Sequence, residues 1–283
     1  MSTLPKELQA FLSEAGIGWT EAHEITAQSW SSSKQAFRIG LEDGRTAKAR
    51  LLLAGSSAER LAALLGEGGA SRRCSRILAA RGRCLLEEWI DGDPLGTSTT
   101  PRDVLIACGR ALAEIHTTPI PIGDIALAPN FSGVDRLRSD LFSLSAGGWL
   151  TGREVAMLES IAEAIVPPPA PMGLVHLDYC GDNIVLHAER GPVCVDNETV
   201  RIGPFTLDLA RAVTRWPIEG DLAQHFLNGY VAGGGPAELA HLDYWALVAE
   251  AWSAALRIRH GNKAIGPQIA NLLRRLSSLN HKP

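Results

Sequence analysis

Val175-His176-Leu177-Asp178-Tyr179-Cys180-Gly181-Asp182-Asn183 is the stretch on which the reading of this chain turns. It leaves a short apolar run, loops, and enters a second run, Ile184 to His187. Ala188-Glu189-Arg190-Gly191 then turns the chain back through Val193 to Val195, which ends on Asp196-Asn197-Glu198. Two short apolar runs around a glycine-bearing turn predict a β-hairpin. A hairpin this short brings Asn183, at the start of its first strand, beside Asp196, at the end of its second. Oxygen donors in that arrangement suit Mg2+, which takes one or two carboxylates and completes its shell with water and phosphate oxygens. Asp178 falls outside such a shell and faces whatever the metal holds.

Outward from this stretch the chain divides into two textures. Towards the N-terminus, Leu4 to Ala15 has helical spacing. Ala36 to Leu41 alternates, Glu42-Asp43-Gly44-Arg45 makes a turn, and Ala47 to Leu53 resumes an extended run. A helix is expected over Ser57 to Leu65, with Ser56 or Ser57 as its N-cap. Two more apolar runs lie between Arg76 and Trp89. After Ile90-Asp91-Gly92-Asp93-Pro94 the texture becomes helical: Arg102 to His116 places Leu105, Cys108, Leu112 and Ile115 on one face. Residues 117–135 read as loop. Gly152 to Val166 reads as a helix stopped by Pro167-Pro168-Pro169. Leu207 to Arg215 and the chain beyond Leu239 read as helix, with a break at Gly233-Gly234-Gly235-Pro236. The expected fold class is α+β, with a small β-rich N-terminal lobe over residues 1–88 and a larger, mostly helical C-terminal lobe over 89–283.

Composition bounds the function. The 283 residues are 46% hydrophobic and 20% charged, enough apolar material for a core. A net charge of −4 argues against an obligate nucleic-acid binder, which carries a basic excess to match phosphate charge. The local cluster Arg72, Arg73, Arg76, Arg81 and Arg83 has no interleaved aromatics and reads as a solvated surface. No apolar stretch approaches the roughly 18 residues of a membrane span, so no membrane partner is expected. Five cysteines, an odd number with no C-x-x-C pair, suit reduced thiols in a cytoplasmic protein. All five read as buried small hydrophobes, with alkylation of Cys180, in the loop, as a side expectation.

With His-x-Asp-x-x-x-x-Asn, the hairpin to Asp-x-Glu, and then Asp208-Leu209-Ala210, the sequence resembles the aminoglycoside phosphotransferase and choline kinase family. Ala47-Lys48-Ala49-Arg50, Glu59, the segment Leu85 to Gly92 and the helix around Ala111 to His116 agree with that family in order and spacing, so the resemblance spans about residues 25–215. It implies a two-lobed, protein-kinase-like fold and an ATP- and Mg2+-dependent transfer of the γ-phosphate to a hydroxyl of a small molecule. Asp178 is then the base, and Asn183 and Asp196 the metal ligands. Lys48 reaches the α- and β-phosphates and is ion-paired to Glu59, with Glu67 as the alternative acid. The Glu88 carbonyl and the Ile90 N–H meet the adenine edge. Asp208 braces the catalytic loop through its backbone N–H groups. Ser31-Ser32-Ser33-Lys34 falls where the family has its phosphate-covering turn, so Ser32 and Ser33 are expected at the phosphates.

Two departures stand out. The covering turn has no glycine, and Asn197 occupies a position where the family commonly has an aromatic; that position is expected to pack. The acceptor is left open. An aminoglycoside calls for carboxylates, for which Asp182, Glu198, Glu219, Asp221 and Glu250 are candidates. A choline-like ligand calls for aromatics, for which Trp216, Tyr244, Trp245 and Trp252 are available. A protein kinase is disfavoured because Thr199 to Thr206 is too short for a regulated activation segment. The alternative of another class is a non-catalytic nucleotide-binding scaffold. A monomer or homodimer is expected.

Overall fold

A computed structural model of the chain describes residues 3–25, 35–66, 69–96, 100–120, 133–168, 171–216, 221–236, 241–261 and 265–280. Helix α1 (Lys6–Glu14) is followed by strands β1 (Trp19–Glu24), β2 (Gln35–Leu41) and β3 (Thr46–Leu51), helices α2 (Ala58–Leu65) and α3 (Gly69–Arg73), and strands β4 (Ile77–Arg81) and β5 (Cys84–Glu88). The strands form one antiparallel sheet in the order β1-β2-β3-β5-β4. Alternation explains it: Phe37, Ile39 and Leu41 of β2 are buried, as are Ala47 and Ala49 of β3, and α1 covers this face with Leu8, Phe11 and Leu12. Gly44 closes the β2–β3 turn with φ of 83°, a left-handed conformation easy only for glycine. Ser57 caps α2, its hydroxyl accepting the Arg60 N–H at 3.1 Å.

The helical part comprises α4 (Arg102–His116), α5 (Gly133–Ala146), α6 (Gly152–Ala164), α7 (Phe205–Arg215), α8 (Leu222–Ala232), α9 (Leu242–Arg259) and α10 (Gly266–Asn280). Between α6 and α7 lie β6 (Met172–Val175), a one-turn 3-10 helix at Gly181–Asn183, β7 (Ile184–His187), β8 (Gly191–Cys194) and β9 (Arg201–Pro204). The expected hairpin is β7–β8, whereas the β6–β9 pair that flanks it joins runs not read as partners. Helix α5 begins inside the segment read as loop. Its Leu137, Leu141 and Leu144 are buried at helical spacing. Helix α4 buries the four residues expected of it, and each fully buried Leu or Ile contributes roughly 1.5–3 kcal/mol. It crosses α8 at two glycines: a Cβ on Gly109 would lie 2.0 Å from Phe226 O, and one on Gly229 would lie 2.2 Å from Ile106 O.

One core cluster joins the sheet side to the helical side, bringing Leu64, Leu65 and Leu85 together with Leu105, Leu112, Ile184 and Leu209. Arg190, in the β7–β8 turn, reaches back across the same junction to Glu88 (2.5 Å), Cys74 O (2.6 Å) and Arg72 O (3.0 Å). The β7–β8 hairpin is thereby held against the end of β5 and the segment around Cys74. Among the described residues no helix is long and apolar enough to cross a membrane.

Candidate active site

The loop after β6 is anchored from below by Asp208 of α7. Its buried carboxylate accepts the N–H of His176 at 2.5 Å and of Leu177 at 2.8 Å, and lies 3.1 Å from His116 Nε2. Burial alone would raise the Asp208 pKa, but the hydrogen bond and charge of His116, with His176 and its backbone N–H, hold the carboxyl below its ordinary range. Leu177 has φ of 60°, a conformation costing a residue with a side chain roughly 1–2 kcal/mol. Two contacts fix it: Asp208 on its N–H, and Arg211 Nε on its carbonyl at 2.5 Å. The turn at Leu177 presents the next residue, Asp178, half-buried at the cleft.

Asn183 Nδ2 donates to Asp178 O at 2.8 Å and to Asp178 Oδ2 at 2.9 Å. With its amide nitrogen so engaged, the side-chain oxygen of Asn183 is the atom that could serve as a ligand. Val195 N–H donates to Asn183 O at 3.0 Å, so the hairpin register sets Asp196 next to Asn183. An amide oxygen and a carboxylate are hard donors that suit Mg2+. Among the described residues no three His, Cys, Asp or Glu side chains converge on one point. The pair thus fits an ion that draws its remaining ligands from water and phosphate rather than one held in a protein cage.

Across the cleft the structure differs from expectation. Lys48 and Arg50 share one face of β3, as residues two apart on a strand must. Lys48 Nζ donates to Val195 O at 3.0 Å. Arg50, not singled out from the sequence, is the cation that meets the acidic motif: its buried guanidinium lies 2.5 Å from Asp196, 2.7 Å from Glu198 and 3.6 Å from Glu87. Burial would lower its pKa, and the charges of Asp196 and Glu87 more than reverse that. The expected Lys48–Glu59 ion pair is not formed. Glu59 stands on the exposed start of α2, where its carboxylate accepts the Gly82 N–H at 2.5 Å and the Ser57 hydroxyl at 3.0 Å. The internal acid is Glu87 of β5, fully buried on the strand paired directly with β3, and invisible to helix-based reasoning.

A buried polar chain links the two sides. His176 Nδ1 accepts the Asp178 N–H at 3.2 Å, so Nε2 carries the proton and faces Asn197 Oδ1 at 3.3 Å. Asn197 Nδ2 donates to Ser75 Oγ at 2.8 Å and to Glu87 Oε1 at 3.3 Å, and Ser75 Oγ donates to Glu87 Oε1 at 3.0 Å. Asn197 is therefore a hydrogen-bond hub joining the Asp178 loop to the Glu87–Arg50 pair, and more than the packing residue expected. Burial lowers the His176 pKa, against the opposing charges of Asp208 and Asp196.

The remaining site residues fall as follows. Glu88 ends β5 with its carboxylate on Arg76 and Arg190. Ile90 is buried against Val185 and Val193 of the hairpin, and among the described residues its N–H has no hydrogen-bond partner. Ser32 and Ser33 lie outside the described residues. Asp182 is exposed on the loop. Glu198 is drawn to Arg50 rather than presented to an acceptor. Trp252 is stacked by the protein's own cations: Arg211 lies 4.1 Å and Arg136 4.6 Å from its ring centroid. Cys180 is buried at 3% exposure and its thiol is pushed up to about 11 by desolvation, which removes the expected reactivity. Of the arginines from 72 to 83, Arg72, Arg76 and Arg81 are exposed, as expected of a solvated surface, while Arg73 and Arg83 are half-buried; Arg73 grips Glu114, Arg76 binds Glu88, Arg81 meets Glu14, and Arg83 donates to Leu52 O.

The chain belongs to the phosphotransferase enzyme family, whose model matches residues 45–245. Solved structures agree with this over nearly the whole chain. A choline kinase from Streptococcus pneumoniae is similar with a TM-score of 0.71 at 10% identity, covering 98% of this chain and 99% of that one. An aminoglycoside phosphotransferase from Alicyclobacillus acidocaldarius gives 0.66 at 17% identity over 99% and 97%. A spectinomycin phosphotransferase in complex with ADP and spectinomycin gives 0.67 at 13% identity over 99% of both chains. No curated protein sequence matches the chain. The fold is the two-lobed, kinase-like α+β architecture, and the protein is a phosphotransferase enzyme.

Proposed function

We propose that the protein transfers the γ-phosphate of ATP to a hydroxyl group of a small molecule. The observation that carries this reading is the joint placement of Asp178, Asn183 and Asp196 on one braced loop and hairpin, facing Arg50 across the cleft. In the transfer, the acceptor oxygen forms a bond to the γ-phosphorus as the bond to the β–γ bridging oxygen breaks and ADP leaves. Asp178 orients the hydroxyl and takes its proton. Asn183 and Asp196 would hold Mg2+, which supplies charge neutralisation at the phosphates. Arg50 keeps Asp196 in position from the opposite side, and Lys48 stands beside it towards the nucleotide. Ile90 offers its N–H to the adenine edge over the Val185–Val193 surface, with the Glu88 carbonyl as the second contact. Residues 1–88 are taken as the nucleotide-binding lobe and 89–283 as the catalytic and acceptor-binding lobe. The complex of spectinomycin phosphotransferase with ADP supports the choice of an adenine nucleotide.

The test is Mg2+-dependent release of ADP from ATP in the presence of small hydroxyl compounds, with Asp178→Asn as control. Turnover that disappears in the variant while ATP binding persists supports the assignment. Full activity in Asp178→Asn would remove Asp178 from the role of base. A chain that binds ATP and turns over no acceptor would favour a nucleotide-binding scaffold.

A further inference from the structure

The charges around Asp178 run opposite to those around Arg50. Arg215, at the end of α7, contacts Asp178 Oδ1, and the pair remains open to solvent, with side chains 30% and 18% exposed. Arg211, one turn earlier on the same helix, is buried and lies 3.8 Å from the same oxygen. Arg136 of α5 joins Arg211 over Trp252. Desolvation brings the Arg215 guanidinium down to about 10, and the charge of Arg257 on α9 adds to the effect. Desolvation likewise lowers Arg211 to about 10, with Arg136 contributing and Asp208 opposing.

Among the described residues carboxylates do not balance this wall. Asp140 is fully buried and shared between Arg136 at 2.7 Å and Arg259 at 3.0 Å. Asp208 lies beneath the loop. Glu250 is held by Arg275 at 2.9 Å. Among the described residues Asp182 is the exposed carboxylate of the loop, and it does not neutralise the arginines, which have their own partners. A cation brought to Asp178 would meet Arg215 and Arg211 at close range. An anion would find a planar, forked donor already aimed at the reacting position.

We propose that the acceptor is a hydroxyl compound bearing a carboxylate or phosphate group, and that Arg215 receives this anion as the hydroxyl replaces Arg215 at Asp178. The inference rests on the phosphotransferase mechanism above and narrows its acceptor. Arg215 neutralises the base while the site is empty of acceptor. An anionic acceptor exchanges one ion pair for another and leaves the carboxylate of Asp178 for the hydroxyl. A neutral or cationic acceptor offers Arg215 no such exchange.

The experiment compares matched acceptors on the full chain: glycerate and glycerol 3-phosphate against glycerol, and gluconate against glucitol, with choline and kanamycin as cationic probes. ADP release gives kcat/KM for each. Titration calorimetry with a non-hydrolysable ATP analogue gives acceptor affinity independently of turnover. The expected result is a preference of about 10- to 100-fold for the charged member of each pair, the range of a charge-assisted hydrogen bond. Arg215→Met should erase the preference mainly through KM and affinity, and Arg215→Lys should restore part of it. Glycerate against glycerol 3-phosphate tells the two anions apart. Equal affinity for charged and uncharged members in wild type, or best turnover of a cation, would overturn the proposal while leaving the kinase reading intact. Failure to bind the ATP analogue would remove the reading on which it stands.

Discussion

Two walls of one cleft carry opposite electrostatics. On the sheet side a single buried guanidinium, Arg50, is surrounded by Glu87, Asp196 and Glu198. On the helical side a single carboxylate, Asp178, is approached by Arg215 and Arg211. Among the described residues carboxylates outnumber cations on the first wall, and under the proposed function a divalent cation with its phosphates would offset that excess. Among the described residues cations outnumber accessible carboxylates on the second, the imbalance from which the anionic acceptor is proposed. Charge excess at a desolvated site is costly until a ligand of the opposite sign arrives, so each wall describes what it is built to bind.

The sharpest way to break the comparison is at the carboxylate where the walls meet. Asp178→Asn should lower kcat by about a thousandfold, within the range for loss of a general base, with the Kd for ATP nearly unchanged by calorimetry. Loss confined to KM would place Asp178 in acceptor binding alone. Next in size is the brace common to both walls. Asp208→Ala leaves the N–H groups of His176 and Leu177 and the Nε2 of His116 without their partner in the interior, and should cost about 3–5 kcal/mol in urea unfolding. A change below about 1 kcal/mol would mean that the Leu177 turn holds itself.

The sheet-side wall separates Arg50 from the cations and acids near it. Arg50→Met should reduce kcat/KM for ATP by about a hundredfold, the size associated with losing one organised charge contact. Lys48→Met should cost about tenfold or less by the same reasoning, and Glu59→Gln should change nothing beyond about twofold. If Lys48→Met proved the more damaging, the cation that matters would be the one on Val195 O. The smallest effect concerns pH. His176 is held neutral by burial and by the N–H of Asp178 on its Nδ1. Its folded pKa lies below the unfolded value near 6.5, so the unfolded chain takes up the proton first. This contribution to stability is complete above about pH 6.5 and is lost as the pH falls towards the depressed folded value. The slope should reach at most about 1.4 kcal/mol per pH unit. Urea midpoints between pH 7.5 and 5 measure it, and His176→Gln should flatten the curve.

Much of the fold was legible because it is periodic. Alternation in 36–41 and 47–53, the turn at Gly44 and the stripe Leu105–Cys108–Leu112–Ile115 each state their element within a few residues. The start of α5 was hidden because Val134, Leu137 and Leu141 follow directly on a segment punctuated by proline and glycine. The β6–β9 pair escaped because neither run is long and their pairing depends on the loop between them.

By itself the sequence determined the β7–β8 hairpin, and with it the closeness of Asn183 and Asp196, because a short turn between two apolar runs is a local rule. The bracing role of Asp208 and the place of Asp178 were implied by the family resemblance, since Asp208 meets the loop across 31 residues of sequence. Tertiary structure alone decided which of two cations on β3 meets the acids, that Glu87 and not Glu59 is their buried partner, that Asn197 ties the walls together, and what charge the acceptor wall presents. Lys48 and Arg50 are equivalent to any argument from alternation, since both lie on one face of one strand. Arg50 with Glu198, and Asp178 with Arg215, come from distant parts of the chain, and only the packing of the sheet against the helical side selects those pairs from the many charges the sequence supplies.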